Sequence, residues 1–405
     1  MLNMVNLPYH KLRPQGRPQM NQTRRTRLAR TTTIAALSTL SLLAQAQTPA
    51  NEFLKDVQVS GFLDLYYQYS GNQPPAGTFL AYRNFDVRDD SLQIAAAVLS
   101  LVKAPNEKSP FGFTVNLLAG KDADLETAGE PNGSASSLKY LHQGYVTYAL
   151  PKGGLTVDLG KFQTWIGLES PFAAYNDLYS LSFVFTLGQP TYHLGLRATK
   201  TLDKAGGTFA LYGVNGWNEA DDSNRGKSYG ASLSHPIGKL NASLNYYGGT
   251  EGSAKANDVN GFTIANVGEQ NVQLADLVLS TQITPKIKLA ANADYAAVNR
   301  VRDDAPHGHY TSYDILGRYQ FSRSFGVTAR YDNFFDPDGV RSGFLASGAR
   351  FNSVALGAEL LTGTASSLRF EVRHDESNRD AFEGEDGAGT RRARTTFTLA
   401  HIFRF

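Results

Sequence analysis

Eight histidines and 37 acidic residues are the groups with which this chain could do acid–base or metal chemistry, and it contains no cysteine. A serine hydrolase needs a hydroxyl, a base and an orienting carboxylate in one place, often announced by a G-x-S-x-G elbow; none stands beside any histidine. His142 and His193 fall inside stretches of two-residue alternation, and His235 and His401 near the ends of such stretches. His307-Gly308-His309, which follows Asp303 and Asp304, sets two imidazoles where they could converge with carboxylates on one ion. No third ligand has a spacing specific for a metal, so the segment reads as a solvated loop. Asp336-Pro337-Asp338-Gly339 offers two carboxylates without the regular run of oxygen ligands that calcium requires. The chemistry-bearing residues therefore argue against an enzyme, and neither metal nor cofactor is expected.

What the charged residues do show is a period. From Lys286 to Val298, Ile287, Leu289, Ala291, Ala293, Tyr295 and Ala297 fall on one face, and Lys288, Asn292 and Asp294 on the other. The same division runs through Phe325 to Asp332 and Leu368 to Asp375, with the charges always on one side. No run of eighteen apolar residues exists, which excludes a membrane-spanning helix, whereas alternating segments of about ten residues have the length of a tilted membrane-spanning strand. Strands are expected near 56–70, 91–103, 111–121, 138–150, 154–162, 190–201, 207–214, 227–235, 239–248, 271–283, 286–298, 309–322, 325–335, 351–361, 367–375 and 393–405. The alternation is weakest in 91–103 and 271–283, where alanine runs and Asp276 blur it. Short joints such as Pro236-Ile237-Gly238 and Arg323-Ser324 alternate with longer polar ones. The expected fold is all-β: a transmembrane antiparallel up-and-down β-barrel of about sixteen strands, with short periplasmic turns, long external loops and both termini periplasmic. Fourteen and eighteen are the neighbouring even counts.

The amino terminus points to export. Arg24, Arg25, Arg27 and Arg30 precede the apolar stretch Thr33 to Leu43, and Ala44-Gln45-Ala46 follows as a cleavage site. Residues 1–46 read as a signal peptide and 47–405 as the barrel, with Met20 the expected true start, because residues 1–19 resemble no targeting region. The signal holds seven of the 39 basic residues, so the mature chain carries 32 basic against 37 acidic groups and has no charge excess suited to nucleic acid. The expected location is the outer membrane of a Gram-negative cell, among outer-membrane lipid and lipopolysaccharide. Phe397, Leu399, Phe403 and the terminal Phe405 share a face, an end resembling the signal read by the barrel assembly machinery.

Gly61-Phe62-Leu63-Asp64-Leu65-Tyr66-Tyr67, Tyr82-Arg83-Asn84-Phe85-Asp86, Asp158-Leu159-Gly160-Lys161-Phe162 through Gly167-Leu168-Glu169, and Tyr192-His193-Leu194-Gly195-Leu196-Arg197 together resemble the OmpL-like β-barrel porin family. The resemblance covers mainly residues 56–200. It implies the barrel and no catalytic residues.

The inward face then carries Arg197, Lys288, Asp294, Asp314, Arg318, Arg330, Asp332, Glu359, Arg369, Glu371 and Arg373, groups costly to bury dry and suited to line water. With only a few residues between the cleavage site and the first strand, a plug domain is not expected. The reading is a porin for passive diffusion of small hydrophilic solutes or ions; a structural or adhesive barrel without an open pore, and then an outer-membrane enzyme, are the alternatives. Charges of both signs predict weak selectivity. The segment Trp165 to Gln189 is too apolar for an external loop and is expected to fold against the inner wall, carrying Glu169, Asn176 and Asp177 toward Arg197, Arg330 and Arg373. An external lid, or an extension of the flanking strands with Leu181 to Leu187 extended, is the competing arrangement.

Overall fold

The charge-bearing faces of the alternating segments cannot meet lipid, and the apolar faces cannot meet water, so the strands must join into a cylinder with its polarity turned inside out. The computed structural model describes residues 54–128, 137–150, 152–222, 224–251, 258–259, 262–263, 270–300, 307–345 and 347–405. The expected signal peptide with Met20, and Asp303 and Asp304, lie outside the described residues.

Sixteen strands form one closed barrel. In chain order they are β1 Gln58–Ser70, β2 Ser91–Lys103, β3 Phe111–Ala119, β4 Leu141–Ala149, β5 Leu155–Gln163, β6 Tyr192–Thr201, β7 Thr208–Val214 and β8 Ser228–Ile237. There follow β9 Leu240–Glu251, β10 Gln270–Thr284, β11 Ile287–Arg300, β12 Gly308–Gln320, β13 Phe325–Asp336, β14 Ala349–Leu361, β15 Ser366–Ser377 and β16 Ala393–Arg404. Each strand pairs antiparallel with the next, and β16 closes on β1 from Phe62↔Arg404 to Ser70↔Thr396. The sixteen expected strands are all present, with ends moved by a few residues. Gly120, at φ 108°, breaks β3 before Lys121 and starts the short helix α1, Lys121–Glu126, where strand had been expected to continue.

The two blurred strands are strands for identifiable reasons. In β2 a bulge opposite Asp64 and Leu65 leaves Ala95 out of the pairing, and both Ala95 and Ala96 are buried. One extra residue inverts the face of everything beyond it, which is why a strict period of two fails there. In β10 the inward Val272 and Leu274 pack against apolar loop residues inside the barrel while Leu277 faces out, so both faces are apolar. Asp276 keeps its place on the inward face and is buried between Asn245 and Asn292. At the other rim the turns are tight: Ile237 pairs with Leu240 across Gly238 and Lys239, and Gly238 takes the positive φ of 64° that a two-residue hairpin needs.

Burial follows the inverted scheme. Leu244, Ile315 and Leu356 stand more than half exposed on the outer wall, while Arg330, Asp332 and Arg373 are sealed inside. Tyr67, Tyr69, Tyr295 and Tyr331 also face outward, toward the long-loop rim, where amphipathic rings settle at the headgroup level. A charge placed within the outer apolar band is therefore expected to destabilise: Leu356→Arg should cost about 2–4 kcal/mol in reversible denaturant unfolding from lipid vesicles. A change under about 0.5 kcal/mol, ordinary for an exposed site in water, would show that this face does not contact lipid.

Candidate constriction inside the barrel

The longest connection between described strands, residues 164–191 from β5 to β6, turns into the barrel. Its apolar residues direct it, since Ile166, Phe172, Leu178, Phe183, Val184 and Phe185 are almost wholly buried. Phe183, Leu187 and Ile166 join a cluster with wall residues Tyr247, Leu274, Phe334 and Phe351. Phe172 packs edge-on against Phe62 of β1 at 5.3 Å. The segment Leu181 to Leu187 is not a strand: Phe183–Gly188 form a helix, α2, and the Ser182 hydroxyl caps it by accepting from the Phe185 amide at 3.1 Å.

The loop is fastened to the wall opposite its origin by charge. Glu169 accepts from Arg330 Nη1 at 2.5 Å, and its other oxygen accepts from the Ser182 amide at 2.8 Å and hydroxyl at 2.6 Å. Arg330 also donates to the Ser180 carbonyl at 2.7 Å and to Asp332 at 3.2 Å, while Asp332 accepts from the Phe183 amide at 3.0 Å. Glu371 accepts from the Tyr179 amide at 2.6 Å. Arg369 and Arg404 donate to the carbonyls of Ala173 and Ala174 at 2.6 and 2.7 Å. Near its far end, Gln189 donates to Asn292 and Asp294, both at 2.8 Å. The loop's backbone and its Glu169 carboxylate thus add partners to wall groups such as Arg330 and Arg369, which also pair with Asp332 and Glu359 on the wall.

The sequence-derived residues thus come to rest in different surroundings. Asp294, Arg330, Asp332, Arg369, Glu371 and Arg373 hold the loop, Arg373 through the Leu181 carbonyl and not through a loop carboxylate. Lys288, Arg318 and Glu359 form a wetter group with the loop's Asp177, whose oxygens lie 2.6 Å from Lys288 and 3.6 Å from Arg318, and Glu359 meets Arg318 at 2.9 Å. Asn176 bonds within the loop, to Ser170. Arg197 stays apart from the loop, because the loop crosses away from β5 and β6 toward the opposite wall, and Asp158 on the neighbouring strand takes its guanidinium at 2.8 Å. Asp314 is buried in the wall, both oxygens without a hydrogen-bond partner among the described residues.

Groups outside the set expected to line the inward face complete the interior. Arg83, in the connection after β1, reaches Asp86 at 2.6 Å and Asp375 at 3.0 Å; Arg394 binds Asp375 and Glu383. The alternation itself places Asp375 and Arg394 inward, but nothing local marks Arg83 as a partner from a loop. In α1, burial together with Asp64, Glu126 and Asp86 holds the Asp122 carboxyl well above its usual range. For Glu126 burial is outweighed by His142 and Lys161, and its carboxyl titrates below the usual range.

The metal motifs resolve into structural roles. Asp336 accepts from the amides of Val340, Arg341 and Ser342 and shapes the turn after β13. His309 lies in β12 and meets Asp338 at 3.1 Å. Among the described residues no three acidic or histidine side chains gather in a metal-binding arrangement.

Solved outer-membrane proteins share this architecture at low sequence identity. OmpT of Vibrio cholerae is 11% identical over 86% of this chain and 97% of its own, with a TM-score of 0.57. The outer membrane channel DcaP of Acinetobacter baumannii is 13% identical over 86% and 97%, with a TM-score of 0.57. An anion-selective porin from Comamonas acidovorans is 13% identical over 86% and 99%, with a TM-score of 0.56. These likenesses are likenesses of fold. No curated protein sequence matches the chain. The family model described as "Putative beta-barrel porin-2, OmpL-like" matches residues 56–405, a span that contains the whole barrel, and the chain belongs to this family of outer-membrane β-barrel porins.

Proposed function

We propose that the barrel is a water-filled channel for passive diffusion of small hydrophilic solutes or ions, narrowed by the loop of residues 164–191. The observation that carries this reading is the division between dry and wet charges on the inner face. Arg330, Asp332 and Arg373 are sealed beneath the loop, whereas the side chains of Lys288 and Arg197 keep 40% and 25% of their exposure. A solute path then runs past Lys288, Asp177, Arg318 and Glu359, and along the part of the β4 to β6 wall around Arg197, Asp158 and Tyr145, beyond the contacts of Phe172 with His142 and of Trp165 with His193. Both signs line this path, so selectivity is weak and ionic. Export by the segment 1–46 from a start at Met20, and assembly through the terminal Phe405, belong to the same reading.

A second reading, a structural barrel with no open pore, is favoured by the Arg83, Asp375, Arg394 and Glu383 network, which is dry and neutralises itself. Planar-bilayer recording on the purified protein separates the two, with discrete conductance steps expected for the channel and none for the closed barrel. Deleting residues 170–185 should raise single-channel conductance several-fold and leave a heat-modifiable, folded barrel, since the freed wall charges become hydrated and not stranded. An unchanged conductance would place the loop outside the solute path.

A gentler variant tests the fastening. Glu169→Ala leaves Arg330 and Ser182 without their shared acceptor, a loss of about 3–5 kcal/mol for a buried pair broken on one side. The expected result is a noisier open state and new protease cleavage between residues 170 and 185, with strand content unchanged. A quiet, protected loop in this variant would show that its apolar contacts alone hold it.

A further inference from the structure

The inward faces of β10 to β12 hold more negative charge than the wall neutralises. Asp276 stands opposite Asp294 in the sheet, and Asp314 stands opposite Asn292, the next inward position of β11. All three carboxylates are buried, and among the described residues none forms an ion pair; Arg330, the nearby cation, is engaged by Glu169 and Asp332. Asp276 and Asp294 are held by neutral donors. Asn245 reaches Asp276 at 2.6 Å, and Ser312 and Gln189 reach Asp294 at 3.1 and 2.8 Å. Asp314 is 1% exposed and has no hydrogen-bond partner at either oxygen. Gln189 Oε1, buried beside the same cluster, is also without a partner. Both ends of the constriction loop dock here: the Gly167 and Leu168 amides donate to Asp276 and Asn292 at 3.3 and 3.2 Å, and Gln189 arrives from the other end.

We propose that Asp294 and Asp314 hold a calcium ion at the neck of this loop. The two residues are diagonal neighbours on adjacent strands, about 7–8 Å apart at the backbone. One ion with oxygen ligands at about 2.4 Å spans that gap. The Ser312 hydroxyl, already on Asp294, lies on the same inward face, so the shell needs no third carboxylate and is completed by neutral oxygens and water. Every donor is an oxygen, which suits a hard cation and not zinc. The flexible shell of calcium tolerates such a spread site better than the tight octahedron of magnesium. A proton serves less well, because an O–H on Asp314 would find no acceptor. An ion here neutralises two buried carboxylates and pins the place where the loop leaves and rejoins the wall. The inference concerns how the loop is held and stands whether or not the barrel conducts.

The test uses the full chain refolded in lipid-free detergent, stripped with a chelator and titrated with calcium alone. Native mass spectrometry should count one tightly held ion per chain, with magnesium bound about tenfold more weakly. Asp314→Asn and Asp294→Asn should each lower calcium affinity by about tenfold or more, and Asp314→Glu should keep part of it. Asp203→Asn, in the turn between β6 and β7, should leave it unchanged. Calcium should also slow protease cleavage between residues 170 and 185 in wild type and fail to do so in Asp314→Asn. Heat-modifiable migration verifies that each variant is folded; if one of the two asparagine variants does not fold, the other decides. Absence of a retained ion would overturn the proposal, as would equal retention by wild type and the asparagine variants, which marks adventitious binding at surface carboxylates. Magnesium bound as tightly as calcium would overturn the assignment of the ion, and cleavage indifferent to bound calcium would overturn its role in pinning the loop.

Discussion

Everything in this molecule depends on closing the hydrogen-bonded sheet. A strand inside a bilayer has no water to satisfy its amides and carbonyls, so the first strand must find the last, with Phe62 pairing Arg404 at the far end of the chain. The seam between β1 and β16 does this over nine register pairs. It is extended by the terminal residue, whose amide and carbonyl bond those of Gly61 at 3.0 and 2.9 Å. A Cβ at Gly61 would lie 2.3 Å from the Val98 carbonyl oxygen on β2 and 2.5 Å from the Phe405 ring, so the close approach of β2 to β1 needs glycine there.

Closure inverts the usual relation of charge to surface. In a water-soluble protein the arginines and aspartates of β13 to β16 would be spread over solvent, weakly paired. Here they are enclosed, and an enclosed charge has to be paired or wetted. The structure uses both solutions at different places. Beneath the loop, Arg330, Asp332, Glu169 and Glu371 are bonded to one another or to loop backbone; around Lys288 and Asp177 the pairs keep contact with water. The boundary between the two zones is set by how far the loop reaches.

The loop in turn is held by two forces of different kind. Its phenylalanines bury apolar area against apolar wall residues inside the barrel, which fixes depth and is indifferent to detail. The Glu169–Arg330 pair and the carbonyls offered to Arg369, Arg373 and Arg404 fix orientation. The same division explains why inward faces of β7, β9 and β10 contain Val214, Tyr247 and Leu274 where the loop lies.

Much of this was legible in the residues alone. A period of two, strand lengths near ten and alternating short and long joints determine a closed antiparallel barrel, because each membrane-spanning strand turns one face to lipid and the other to the barrel interior. The same period assigned Lys288, Asp294, Arg330 and Arg373 to the inward face, and the apolar content of Trp165 to Gln189 excluded it from open solvent. Local pattern could not reveal the bulge at Ala95, since the extra residue is defined by its partner strand. Nor could it reveal the short helix at Phe183–Gly188, whose cap residue is itself positioned by Glu169. Which charges meet was decided by the tertiary structure: Arg197 found Asp158 next door, and Arg83 found Asp375 some 290 residues away. The sequence specifies which side of the wall a charge stands on, but its partner depends on where the loops come to rest inside a closed cylinder, and that is set by packing across the whole lumen.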